Sequence, residues 1–117
     1  MARRPGVTAF LNAFHDISLQ LCDLETDLLI VLDEQGRITR TYPGFTKALG
    51  YTEADVLGMG IVRFIDGSDM MIFVKAATGF PYPRPFRMLH KGGGEVLVKL
   101  EAAQFSDECG YLIMRRV

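Results

Sequence analysis

Cysteine occurs only twice in the 117 residues, at Cys22 and Cys109, and histidine only twice, at His15 and His90. The cysteines lie far apart, and no Cys-x-x-Cys or His-x-x-x-His spacing occurs, so neither a zinc quartet nor a disulfide framework is written into the chain. Reduced thiols in a cytoplasm are the expected state. An excess of charge is also missing: the formal net charge is -1, which gives no electrostatic footprint for nucleic acid. Arg3 and Arg4 near the start and Arg115 and Arg116 near the end are too few for a basic patch. The longest aliphatic run, Leu28 to Leu32, falls far short of the roughly 20 residues of a membrane helix. No apolar signal-peptide core follows the first arginines. A cytoplasmic domain without membrane contact is expected.

Catalytic signatures are equally scarce. Gly92-Gly93-Gly94 joins two strand-like stretches and reads as a hairpin turn rather than a phosphate cradle. Glu53, Asp55, Asp66 and Asp69 sit where helix starts need capping carboxylates, which accounts for them without acid-base work. No serine elbow and no cysteine-histidine pairing occurs. An enzyme is not expected.

What is present is one domain's worth of patterned chain. Residues 1–23 read as a loose arm and an amphipathic accessory helix over about 9–22, capped by Thr8. Val7, Phe10, Leu11, Phe14, Ile17 and Leu21 form its apolar stripe. Residues 24–117 read as the folded core. Asp27 to Asp33, a turn at Gly36, and Ile38 to Thr41 form a hairpin. Pro43 opens a short helix over Gly44 to Leu49, stopped by Gly50. Thr52 and Asp55 form a capping box, with Gly58 as the stop. Ser68 or Asp69 caps a further helix to about Thr78. Three prolines between Pro81 and Pro85 exclude a helix there. Phe86 to His90, the glycine turn, Glu95 to Phe105, and Gly110 to Val117 supply three more strands. Strict alternation puts Val96, Val98, Leu100, Ala102 and Gln104 on one face of the long strand. The plan is α+β, one antiparallel sheet with helices gathered on one side.

Several segments in this order resemble the PAS family. They are Asp27-Leu-Leu-Ile-Val-Leu-Asp33 with Gly36-Arg37-Ile38, then Pro43-x-Phe45-x-x-Ala48-Leu49-Gly50-Tyr51-Thr52-x-x-Asp55-x-Leu57-Gly58. Asp69 near the next helix start, and Arg87-x-x-His90-Lys91-Gly92-Gly93, complete the set. The resemblance covers about residues 24–117. It implies a five-stranded antiparallel sheet in the order 2-1-5-4-3, short helices over one face, a pocket between them, and an amino-terminal helix that often mediates dimerisation.

Three departures stand out. Tyr42 occupies the place where many relatives carry asparagine; it either caps the pocket, alters signalling contacts, or is tolerated. Asp66-Gly67-Ser68-Asp69 replaces a common His-Pro-x-Asp. The chain stops at Val117, where relatives often continue into a linker helix, so an effector domain is expected outside this sequence.

The pocket is expected to be lined by Phe45, Phe64, Met71, Met88, Leu100 and Gln104, within a core that also holds Leu49, Met70, Phe73, Val74, Phe86 and Met114. A slip of one residue in the glycine hairpin would exchange the faces of Met88 and Leu89. The cofactor is left open. Flavin-adduct chemistry lacks its cysteine, since Val62 precedes Arg63-Phe64. Gln104 either meets a flavin edge or ends in water. Haem lacks a histidine in residues 61–78, and His90 and His15 are expected at the surface. The expected function is sensory: a small ligand or cofactor binds in the core and the change passes to a flanking effector, as in two-component and related signalling proteins. A homodimer is expected through Phe10, Leu11, Phe14 and Ile17. The alternative is a ligand-free dimerisation and interaction module.

Overall fold

The computed structural model describes residues 22–117. Phe10, Leu11, Phe14, Ile17 and His15 lie outside the described residues, as does nearly all of the expected accessory helix.

An apolar run too short for a helix and rich in β-branched residues forms the first strand, β1 (Leu28–Asp33). Gly36, at φ +77°, closes a turn that the Asp33 carboxylate staples by accepting the Gln35 and Arg37 N–H groups. The chain returns as β2 (Ile38–Thr41). The other strands are β3 (Phe86–Leu89), β4 (Glu95–Phe105) and β5 (Cys109–Arg116). All pairings are antiparallel and the order is β2-β1-β5-β4-β3, as the resemblance implies.

Between β2 and β3 the chain crosses the inner face of the sheet. Pro43 starts α1 (Pro43–Leu49), which ends on left-handed Gly50. The box of Thr52 and Asp55 starts α2 (Glu53–Val56), with both reciprocal bonds formed. Two 3-10 turns, Ile61–Phe64 and Gly67–Asp69, lead into α3 (Met70–Ala77).

The same crossover closes both sheet edges. On the β2 side, Ile38 exchanges backbone bonds with Met59 and Gly58, and Arg37 bridges Gly60. On the β3 side, Ile65 bridges Met88 and Asp66 N–H donates to Arg87 C=O. A loop that covers an edge removes unpaired groups that would otherwise recruit another strand.

Two expected carboxylate roles are different in the fold. Asp69 stands at the N-terminus of α3, but its side chain makes no cap bond there. It turns instead to Arg87, accepting the backbone N–H and two guanidinium bonds, at 2.8 to 3.1 Å. A guanidinium fork outcompetes a single backbone donor for a carboxylate. Asp66 makes the cap, accepting Ser68 N–H at 2.9 Å. Glu53 reaches back to β2, taking the Thr41 N–H and hydroxyl.

Gly44 marks where the chain entering β1 passes closest to α1. Its N–H donates to Leu24 C=O, and a Cβ at this position would lie 2.1 Å from the Asp27 carbonyl oxygen. Replacing Gly44 by alanine is therefore expected to destabilise by about 1–3 kcal/mol. Gly67→Ala, where a Cβ meets nothing within 4 Å, is expected to stay within about 0.5 kcal/mol. Urea unfolding of both variants checks the contrast.

Candidate functional site

The β1–β5 pair is buried on both faces, and this creates two separate apolar clusters. On the inner face Leu28, Ile30, Leu32, Leu112 and Met114 meet Phe45 and Leu49 of α1, Phe64 of the first 3-10 turn, Phe73 of α3, and Phe86, Met88, Val98 and Leu100 of β3 and β4. On the outer face Leu29, Val31, Tyr111 and Ile113 gather with Tyr42, and Cys22, Leu24, Ala102 and Cys109 pack at the margin.

The interior belongs to the first cluster. Its aromatic rings meet edge to face, Tyr51 with Phe64 at 5.1 Å and Phe73 with Phe86 at 5.4 Å between centroids. Thr41 is buried at its border, and Glu53 satisfies both of its donors. Among the described residues no polar side-chain atom of this interior is left without a partner.

Four of the six expected pocket residues come together here. Phe45, Phe64, Met88 and Leu100 are buried in the one cluster. The pairing of Met88 with Val96 settles the hairpin register and turns Met88 inward. Met71 does not join them: it is 63% exposed, on the side of α3 away from the sheet. Val74 is exposed too, while Phe73 and Ala76 point inward. Met70, Phe73, Ala76 and Ala77, at helical spacings of three and four, take the inner side, which turns Met71 outward.

Gln104 is misplaced for a different reason. Leu100 pairs with Met114 but Ala102 pairs with Ile113, so Glu101 is an extra residue, a β-bulge. Beyond it the faces exchange. Ala103 takes the inner side, Ala102 and Gln104 the outer, and Gln104 is exposed opposite Tyr111. It cannot meet a ligand in the interior. His90 departs from expectation as well, since it is half-buried against Gly50. Among the described residues the interior holds no buried side-chain donor or acceptor without a partner, and His90 lies against Gly50, so neither Gln104 nor His90 is placed to hold flavin or haem there.

On the outer face two residues carry the polar chemistry. Tyr42 is buried and its hydroxyl has no hydrogen-bond partner among the described residues. The Arg40 guanidinium stands over the ring, 5.6 Å from the centroid. Burial pushes the phenol's pKa up. Tyr42 thus caps the outer cluster, not the interior. Asp27, whose side chain is 7% exposed, receives two bonds from Arg115 at 3.1 and 3.3 Å and one from Asp23 N–H at 2.9 Å. The Arg115 guanidinium is the main cause holding the Asp27 carboxyl below its ordinary value. Burial, with Asp27 beside it, pushes the Cys22 thiol up to about 11, so it stays protonated at neutral pH. Neither the Asp27–Arg115 pair nor the bulge carries a sequence signal, because both join residues remote along the chain.

Two outcomes are expected. Met88→Ala costs about 2–5 kcal/mol, whereas Met71→Ala stays within about 0.5 kcal/mol; chemical denaturation measures both. Because the Asp27 pKa is lowered by folding, its contribution is present above the unfolded aspartate value and is lost as pH falls through the folded one. Asp27→Asn is therefore expected to flatten the loss of stability below about pH 4. An acid limb unchanged in slope speaks against the pair's role.

No family model and no curated protein matches the sequence. Solved structures do. A PAS domain from Colwellia psychrerythraea is 19% identical, with TM-score 0.66, over 87% of this chain and 98% of that one. The PAS domain of the Cronobacter turicensis RpfR quorum-sensing receptor, solved in complex with BDSF, is 17% identical with TM-score 0.61, over 79% and 94%. A PAS domain of an HTR-like protein from Haloarcula marismortui is 27% identical with TM-score 0.53, over 78% and 86%. With the strand order, the helical crossover and these likenesses in agreement, residues 22–117 have the PAS fold.

Proposed function

We propose that this chain is a non-catalytic sensory module that takes a small ligand between its helices and the inner face of its sheet, burying an apolar part there and leaving any charged head in water. The observation that carries this reading is the lining itself. The side chains of Phe45, Phe64, Met88 and Leu100 present only carbon and sulfur, and among the described residues every buried side-chain polar atom beside them already has a partner. A ligand that needed buried hydrogen bonds would lose those it makes with water and find none in return. Methionine side chains such as Met88 and Met114 adjust to irregular shapes at low cost, which suits a site that opens around an apolar guest. Among structural neighbours, the Cronobacter domain has been solved with BDSF and with C12:0, and a Drosophila melanogaster Cycle PAS-B domain with glycerol.

Relay follows from the shared strand. β5 sends Leu112 and Met114 inward and Tyr111 and Ile113 outward, so a displacement inside is passed to the outer cluster. A homodimer formed through Phe10, Leu11, Phe14 and Ile17 would carry the change to a flanking effector. The outer apolar cluster also supports the second reading, a dimerisation module without ligand.

Dodecanoic acid is the probe that separates the two. If the first reading holds, it raises the melting temperature by several degrees at a large excess over its dissociation constant. Leu100→Trp, which fills the interior, then abolishes the shift. A dimer on size-exclusion with light scattering, but no thermal shift with any apolar probe, favours the second reading.

A further inference from the structure

The outward side of α3 and the connector that follows it form an exposed apolar patch. Met71 and Val74, three positions apart on the helix, face solvent, as do Phe80 and Tyr82 beyond it, Tyr82 at 78% exposure. Gly79, left-handed at φ +95°, turns the chain so that Phe80 N–H donates to Lys75 C=O at 3.0 Å. The Lys75 ammonium stands 5.8 Å from the Phe80 ring centre. Helix face and connector are thus neighbours in space. Pro81, Pro83 and Pro85 fix the backbone on either side of Tyr82 and Arg84, so both side chains are presented with little backbone left to order. The charge here has one sign. Residues 70–94 contain no aspartate or glutamate, although the whole chain carries a net charge of -1. Arg87 is taken by Asp66 and Asp69, and Lys91 by Asp55, carboxylates from outside that stretch. Lys75 and Arg84 are exposed and have no carboxylate partner among the described residues.

We propose that this patch seats the domain on an anionic lipid surface: Phe80, Tyr82, Met71 and Val74 sink among the headgroups while Lys75 and Arg84 meet lipid phosphates. Aromatic rings with a polar edge and cations on apolar stems suit that boundary, because each keeps one end wet and the other dry. Free cations beside apolar tips, with no carboxylate among them, complement a negatively charged bilayer. A protein partner asks for more, since a standard interface takes about 800 Å² and 20–30 residues a side. Among the described residues no helix is long and apolar enough to cross a membrane, but lying on a surface requires none. Nor does it require an excess of charge over the whole chain, only over the face that touches. The expectation of no membrane contact, drawn from apolar run length and net charge, therefore does not reach this patch. One such patch holds a domain weakly and reversibly.

The chain has no tryptophan, so Tyr82→Trp puts a single fluorescent reporter into the patch of the full chain. With vesicles of phosphatidylglycerol and phosphatidylcholine in equal parts, its emission is expected to shift to the blue. Bromine carried on the lipid acyl chains is expected to quench it. Adding Lys75→Glu and Arg84→Glu should raise the lipid concentration for a half-maximal shift at least tenfold, each cation contributing about fivefold. Raising the ionic strength from about 0.1 M to about 1 M should weaken the binding in the same direction. Leu57→Trp places the reporter at another exposed site, beside β2 at the opposite edge of the sheet from β3, and is expected to stay unquenched. A Tyr82→Trp emission indifferent to anionic vesicles would overturn the proposal. So would an equal shift with phosphatidylcholine alone, which needs no cation, or equal quenching of Leu57→Trp, which means that the whole domain adsorbs or unfolds. A reporter that ignores vesicles but shifts with protein concentration, and loses that shift on Val74→Lys, would assign the patch to a second copy of the chain and refute the lipid reading.

Discussion

Burial of β1 and β5 on both faces is the constraint on which the rest of the structure depends. A strand covered on one side only would alternate apolar and polar residues; Leu28 to Leu32 does not alternate, and neither does Tyr111 to Met114. Each strand must therefore find apolar cover on two sides. The crossover from β2 to β3 supplies the inner cover, and it can do so only because Pro43, Gly50 and the Thr52–Asp55 box break it into short helices that follow a curved sheet. The two bulges, at Thr39 and Glu101, supply that curvature.

This arrangement puts the central strands between two apolar layers. Side chains from one backbone segment belong alternately to the inner cluster and to the outer cluster, and interiors packed at crystal-like density pass displacements on rather than absorb them. Specific ion pairs pin the surroundings at defined points. Asp69 and Arg87 tie the start of α3 to β3, Asp27 and Arg115 tie the entry of β1 to the end of β5, and Lys91 and Asp55 tie the glycine turn to α2.

Much of this was legible in the sequence because it is local. The hairpin at Gly36, the start and stop of α1, the capping box and the proline connector each depend on residues a few positions apart, and each is where the pattern puts it. The strand order came from resemblance rather than from periodicity. What could not be read arises from non-local competition. Asp69 was a plausible cap until Arg87, 18 positions away, offered it a better partner. Gln104 followed a correct alternation up to Leu100, and one bulged residue, set by pairing with β5, reversed its face. Met71 was assigned by hydrophobicity, yet a helix of two turns buries only one side, and Phe73 and Ala76 claim it. His90 was read as exposed because nothing nearby in sequence says that Gly50 leaves room for its ring.

The central claim is that an apolar ligand enters the inner cluster and that its arrival is felt across β5. Methyl NMR of the domain titrated with dodecanoic acid tests this most directly, since the reporters sit in known places: Met88 and Met114 inside, Ile113 on the outer face, and Met71 exposed. The account predicts saturable shifts at Met88 and Met114 accompanied by a smaller shift at Ile113, with Met71 unmoved. Shifts confined to Met71, or none at all, would contradict it.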